Sequence, residues 1–320
     1  MKKRIVFILT SVLLMLAGCK TTEPEKTTPV SWEEQQAYLR KVRDPRVFGL
    51  GIYQTPSGVE IRGGGRLHPA QAEALPMLVD EPFRPVVNLH GNFGVQWPVL
   101  LDCASSASLM EFNTARKAGA LAVGEQRVPK LATRPGDEIP SCLSLIPSLR
   151  LGQLFVESPL VYVRLANGPL GPAAREIEEP VLRGVVGWNI LQKLEQIQFV
   201  YSVGHVVLKT TEAYEPNPAL VVAELPLVKY AGVCAVRGTV DGQDGVILID
   251  PAGDFEVAAS SGGGVSMLQL GENFSFSNPA VSVLPGEVRI GARLLQNYRV
   301  TICPQADKIY FETKPVFSEN

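Results

Sequence analysis

Two short stretches decide how this chain folds: Val99-Leu100-Leu101-Asp102-Cys103-Ala104-Ser105 and Val246-Ile247-Leu248-Ile249-Asp250-Pro251-Ala252-Gly253. Each is an apolar run that stops at an aspartate and passes into small residues. A short apolar run bounded by turn residues reads as a buried strand, so each aspartate stands at a strand-to-loop corner. Asp102 and Asp250 lie 148 positions apart, about the length of one domain.

Working outward, each stretch has matching neighbours. Upstream, a β-like segment and a turn precede it: Pro85-Val86-Val87-Asn88-Leu89 with Gly91-Asn92, and Pro226-Leu227-Val228 with Asp241-Gly242. Downstream, Gly187-Trp188-Asn189-Ile190-Leu191-Gln192 leads to Ile197-Gln198-Phe199 and His205-Val206-Val207-Leu208. Its counterpart, Gly291-Ala292-Arg293-Leu294-Leu295-Gln296, leads to Val300-Thr301-Ile302 and Lys308-Ile309-Tyr310-Phe311. Both read as strand, glycine, short helix, strand, turn, strand. Two unlike blocks in the same order make an internal repeat. Residues 210–218, with Glu212, Glu215, Pro216, Asn217 and Pro218, interrupt the strand pattern between the copies. The first copy is longer, and its extra residues include 128–163. There Thr133-Arg134-Pro135-Gly136-Asp137 has the composition of a hairpin turn.

Two such units packed about a twofold axis bring their aspartates together. Adjacent carboxylates cannot both ionise easily, so they share a proton, and one becomes a base for water while the other is an acid. That pair can hydrolyse a peptide bond without a metal or a covalent nucleophile. An isolated aspartate at a strand end is ordinarily a turn residue; the repeat is what turns the reading toward chemistry.

The pattern resembles the retropepsin-like and pepsin-like aspartic proteases across residues 82–311, as two copies in one chain. The resemblance implies an all-β fold with short helices, in two retropepsin-like β-barrel lobes related by a pseudo-twofold axis. The lobes would span 81–210 and 219–320, joined by a linker at 211–218 and preceded by a helix and leading strands over 31–80. It implies Asp102 and Asp250 as the catalytic pair and Ser105 as the supporting hydroxyl. A substrate-covering flap would lie at Arg134, Pro135 and Gly136. The loops depart from the family's Asp-Thr/Ser-Gly motif. Cys103 and Pro251 replace the hydroxyl residues, and Ala104 and Ala252 replace both glycines. A thiol is a weak donor, and proline brings neither a side-chain donor nor an N–H. Two functions stay open: hydrolysis of peptide bonds by the Asp102/Asp250 pair, or a catalytically inactive lobe pair that binds a peptide or another envelope protein. Either way the expected partner is an extended chain in the inter-lobe cleft of a monomer.

Composition agrees with a large buried core and removes other classes. The 320 residues are 46% hydrophobic and 19% charged, with 30 Lys+Arg against 32 Asp+Glu. No basic surplus serves nucleic acid. His68, His90 and His205 are scattered, and neither HExxH nor paired CxxC occurs, so no metal or cofactor is expected. Trp97 and Trp188 read as core residues. At the N-terminus, Met1-Lys2-Lys3-Arg4 and an apolar run end in Leu16-Ala17-Gly18-Cys19. This has the form of a secretory signal over 1–18, and it resembles a bacterial lipobox, with Cys19 as the lipid attachment site. The expected location is the cell envelope, facing the periplasm, with Lys20 favouring the outer membrane. Residues 19–30 read as a tether, and Ser31-Trp32-Glu33-Glu34 as a capping box opening a helix over 32–42. Cys103, Cys142, Cys234 and Cys303 allow three disulfide pairings, or four buried thiols.

Overall fold

The computed structural model describes residues 26–40, 44–55, 58–69, 71–91, 95–123, 130–132, 138–261 and 263–314. The expected signal segment, Cys19 and the expected flap residues Arg134, Pro135 and Gly136 lie outside these residues. The chain opens with helix α1 (Trp32–Leu39), whose first turn is closed by the Ser31 hydroxyl accepting from the Glu34 N–H at 3.2 Å. Buried Tyr38 anchors it, its ring edge-on to Phe112 and its hydroxyl donating to Ser144. Replacing Ser31 with alanine should cost about 1 kcal/mol in urea unfolding. An unchanged midpoint would show that tertiary contacts alone hold the helix. The stretch expected to be a tether is shorter than 19–30: Thr28–Pro29 pairs with Ala166–Asn167, and Val30 is buried.

The first lobe is built from β1 (Ala72–Pro76), β2 (Val86–His90), β3 (Gln96–Asp102), β4 (Leu109–Glu111), β5 (Glu138–Leu145), β6 (Ser148–Leu151), β7 (Leu154–Glu157), β8 (Leu160–Arg164) and β9 (Gly184–Gly187). It closes with β10 (Gln196–Val200) and β11 (His205–Lys209). The second lobe has β12 (Val221–Pro226), β13 (Ala235–Val240), β14 (Gln243–Asp250), β15 (Val257–Ala259), β16 (Met267–Leu270), β17 (Phe274–Ser277), β18 (Val281–Val283) and β19 (Val288–Gly291). Its last strands are β20 (Tyr298–Cys303) and β21 (Lys308–Thr313). The protein is all-β in two lobes, with only short helices.

The two lobe sheets share one strand order. In the first, β5-β8-β4-β9-β3-β2-β6-β7 are neighbours; in the second, β18-β15-β19-β14-β13-β16-β17 repeat it, β18 standing for β8. The strand matching β2 is therefore β13, paired with β14, and not Pro226-Leu227-Val228 as the sequence suggests. Pro226 ends β12, which instead matches β1, and Leu227 and Val228 follow it. The two stretches look alike because a proline followed by two apolar residues opens both Pro85-Val86-Val87 and Pro226-Leu227-Val228. A third sheet, ordered β12-β21-β20-β10-β11-β1, joins the lobes. At its centre Gln198 of β10 faces Thr301 of β20, its amide donating to the threonine hydroxyl at 2.9 Å. The flanking residues pair crosswise, Ile197 with Ile302 and Phe199 with Val300, so the pseudo-twofold axis passes between Gln198 and Thr301.

One apolar core runs from Val87 and Leu101 through Phe199 to Ile249 and Phe311. Trp97 and Trp188 are buried in it. The linker is pinned rather than loose: the Tyr214 hydroxyl donates to fully buried Glu312, which also takes Arg299 at 2.9 Å.

Candidate functional site

Each aspartate closes a strand that pairs in parallel with the glycine-ending strand of its own copy. Asp102 registers with Gly187, and Asp250 with Gly291. The loops after them are held alike. Ser105 N donates to Asp102 O, and Gly253 N to Asp250 O; Trp188 N then caps Ser105 O at 2.7 Å and Ala292 N caps Gly253 O at 2.8 Å. The glycines are required by contact. A Cβ at Gly187 would stand 2.4 Å from the Ala107 carbonyl oxygen, and one at Gly291 would stand 2.3 Å from that of Phe255.

The fold brings Asp102 and Asp250 to one place, but an arginine stands between them. Nη2 of Arg175 lies 3.0 Å from Asp102 Oδ2 and 3.4 Å from Asp250 Oδ2. Its Nε reaches the same Asp102 oxygen at 3.1 Å, and Asp102 Oδ1 accepts the Ala104 N–H at 2.9 Å. Arg289 adds a second guanidinium, 3.6 Å from Asp250 Oδ2. Asp250 is fully buried, and neither of its oxygens accepts a hydrogen bond from a described residue. Burial pushes its carboxyl up, the Asp102 charge pushes the same way, and the two arginines oppose them. Burial works against the Arg175 charge, yet the two carboxylates outweigh it and raise the pKa of this guanidinium.

Arg175 enters from a first-lobe segment with no counterpart in the second. It follows the short 3-10 turn Gly171–Ala174, and Arg175 and Glu176 both take left-handed backbone conformations, with φ of 51° and 62°. Consecutive non-glycine residues rarely do so without outside support. Arg84, itself buried, supplies some by donating to the Arg175 carbonyl at 2.8 Å.

The other expected residues are placed as follows. Ser105 does not reach the carboxylates, because its hydroxyl donates to Ala107 O at 2.8 Å. Buried Ser108 does the bracing, accepting the Gly187 N–H and donating to Asn189. Cys103 is wholly buried, and its thiol is pushed well up by burial, with Cys234 and both aspartates adding to the effect. That leaves no thiolate for nucleophilic work. Its carbonyl accepts from Cys234 N at 2.9 Å, so a backbone bond joins the lobes where side-chain hydroxyls were missing. The symmetric bond cannot form, since the position matching Cys234 is Pro85, which lacks an N–H. Pro251 and Ala252 are buried in the second loop. All four described cysteines are buried free thiols. Asp254 turns to Arg293 at 2.7 Å and takes no part.

Arg175, Arg289 and Tyr201 were not foreseen. Tyr201 is buried beneath the site with no hydrogen-bond partner among the described residues, and its pKa is raised by burial and then by Cys103 and Asp250. For Arg289 a signal existed: it sits inside an apolar strand at the position where the first copy has Val185, both residues pairing with a leucine. Arg175 lies outside the repeat and gave none.

Above Asp102 opens a cleft of about 280 Å³ between the lobes. Ala104, Ser105, Ser106, Ala107 and Leu109 form one wall, and Tyr230, Val233, Leu248, Leu284 and Pro285 the other. Asp250 does not line it. No group of His, Cys, Asp or Glu among the described residues is arranged to hold a metal ion.

No protein-family model and no curated protein sequence matches the chain. Among solved structures, the crystal structure of basic 7S globulin from soybean is similar to it, at 14% identity and a TM-score of 0.47. The match covers 77% of this chain and 96% of that one.

Proposed function

We propose that this chain is an aspartic-protease-like envelope lipoprotein whose inter-lobe cleft captures extended peptides without cutting them. The observation that carries this reading is the position of Arg175 Nη2, in contact with both carboxylates at once. A dyad that activates water needs one proton shared between its carboxylates and room for the water. Here a fixed positive charge compensates the pair, and the guanidinium fills the space between them. Asp250 is sealed from the cleft, so of the two aspartates only Asp102 lines it, beside Arg175 and Arg289. What remains is a groove whose lining mixes apolar side chains with Asp102, Arg175, Arg289 and Tyr230, and its extended shape between two β lobes suits strand-like chains. Lipid attachment at Cys19 places this groove on a membrane surface. No helix among the described residues is long and apolar enough to cross one.

The test uses carboxymethylated casein as an unfolded substrate. The wild-type chain should bind it and leave it intact from pH 3 to pH 7. Asp102→Asn and Asp250→Asn should bind as well as wild type, and Ala173→Trp, which fills the cleft, should bind at least tenfold more weakly. Pepstatin-sensitive cleavage that disappears in both aspartate variants would overturn this reading and install the hydrolase in its place.

A further inference from the structure

The two lobes match strand for strand up to one edge. In the first, β5 lies antiparallel on the outer side of β8, with Cys142 opposite Val163, Leu143 opposite Tyr162 and Ser144 opposite Val161. In the second, β18 holds the place of β8, and among the described residues no strand covers its outer side. The register fixes the correspondence. Leu109 of β4 pairs with Val185 and Tyr162, and Ala258 of β15 pairs with Arg289 and Ser282. Val161, Tyr162 and Val163 therefore correspond to Val281, Ser282 and Val283.

The exposed side of β18 is equipped for pairing. Leu284 N donates to Ala259 O, and Ala280 O accepts from Val257 N, so these residues turn their backbone toward β15. By the alternation of a strand, Val281 and Val283 turn their N–H and C=O groups outward. The same alternation in the first lobe aims Leu165 N at Pro140 O of β5. Burial records the difference: Val163 is fully buried under β5, whereas Val283 is 61% exposed. Pro285 falls at the position of Leu165 and has no N–H, which ends the available edge. Leu284 and Pro285 also line the cleft, so a chain lying in the cleft is led directly onto β18.

We propose that the outer edge of β18 is a strand-docking site, where the peptide held in the cleft continues antiparallel along Val281–Val283 and takes the place that β5 has in the first lobe. The inference rests on the peptide-binding reading above for its ligand. Residues opposite Val281 and Val283 are two apart and share their face. The first lobe fills those places with Ser144 and Cys142, both buried. The segment accepted is thus an extended one with small or β-branched uncharged residues at i and i+2, and without proline where it bonds the edge.

The experiment uses a fluorescein-labelled peptide of alternating valine and threonine, flanked by lysines for solubility. At saturating peptide, amide hydrogen exchange at Val281 and Val283 should slow at least tenfold. Val283→Pro should weaken binding tenfold or more, and so should N-methylation of alternate peptide amides, which leaves the protein untouched. Slowing confined to cleft amides such as Ser106 and Ala107 would overturn the edge site and leave the cleft reading standing. No slowing anywhere would overturn both. Equal affinity of the N-methylated peptide would also overturn the edge site, which would then be only a short edge blunted against aggregation.

Discussion

Arg175→Met lowers the stability of the folded chain by about 3–5 kcal/mol at neutral pH, the cost of leaving a buried carboxylate without its partner. Arg175 is the nearest cation to both Asp102 and Asp250, and Asp250 has no hydrogen bond from a described residue to fall back on. Arg289, at 3.6 Å, compensates only in part. The loss depends on pH in a definite direction. The folded-state pKa of Asp250 is raised above its unfolded value. Its contribution to stability is therefore fully present below the unfolded carboxylate value, about 4, and is lost as pH rises through the raised folded value. Removing Arg175 raises that folded value further. The deficit of the variant should be smallest near pH 4 and should grow toward pH 7. Urea unfolding at the two pH values measures it, and a deficit that does not change with pH would mean that Asp250 is not the group responsible.

Gly187→Ala and Gly291→Ala each destabilise by about 3 kcal/mol, the upper range for forcing volume into a packed site. The obstacle in both cases is a backbone carbonyl at 2.4 or 2.3 Å from the added carbon, and backbone cannot swing aside as a flexible side chain can. Because each glycine registers with its aspartate, the strain is delivered to the Asp102 or Asp250 loop. Gly245→Ala in β14 is the control: nothing stands within 4 Å of its added carbon. It should leave the urea midpoint nearly unchanged. Equal losses at all three positions would point to general strand effects and remove the argument from close contact.

The repeat was legible because its information is local. An apolar run ending in aspartate, and a glycine followed by a short helix, are patterns of a few residues each, and the structure places both pairs in the same register. The same locality hides the second copy's counterpart of β2. Pro226-Leu227-Val228 repeats the pattern of Pro85-Val86-Val87, whereas Ala235–Val240 is interrupted by Arg237, Gly238 and Thr239, and only its pairing with β14 identifies it. Ser105 holds the hydroxyl position of the motif in sequence, but its hydroxyl donates to Ala107 O.

Periodicity and repetition in the chain were enough to settle two similar β lobes and to set Asp102 and Asp250 at matching corners, because strand burial and turn chemistry are written in neighbouring residues. The character of the site was decided by tertiary packing. Arg175 comes from a segment 73 residues beyond Asp102, outside the repeat, and is held in a left-handed conformation with help from buried Arg84. Its charge meets both carboxylates only after the lobes close, and electrostatic compensation between residues so far apart depends on distance in space, which no local pattern encodes.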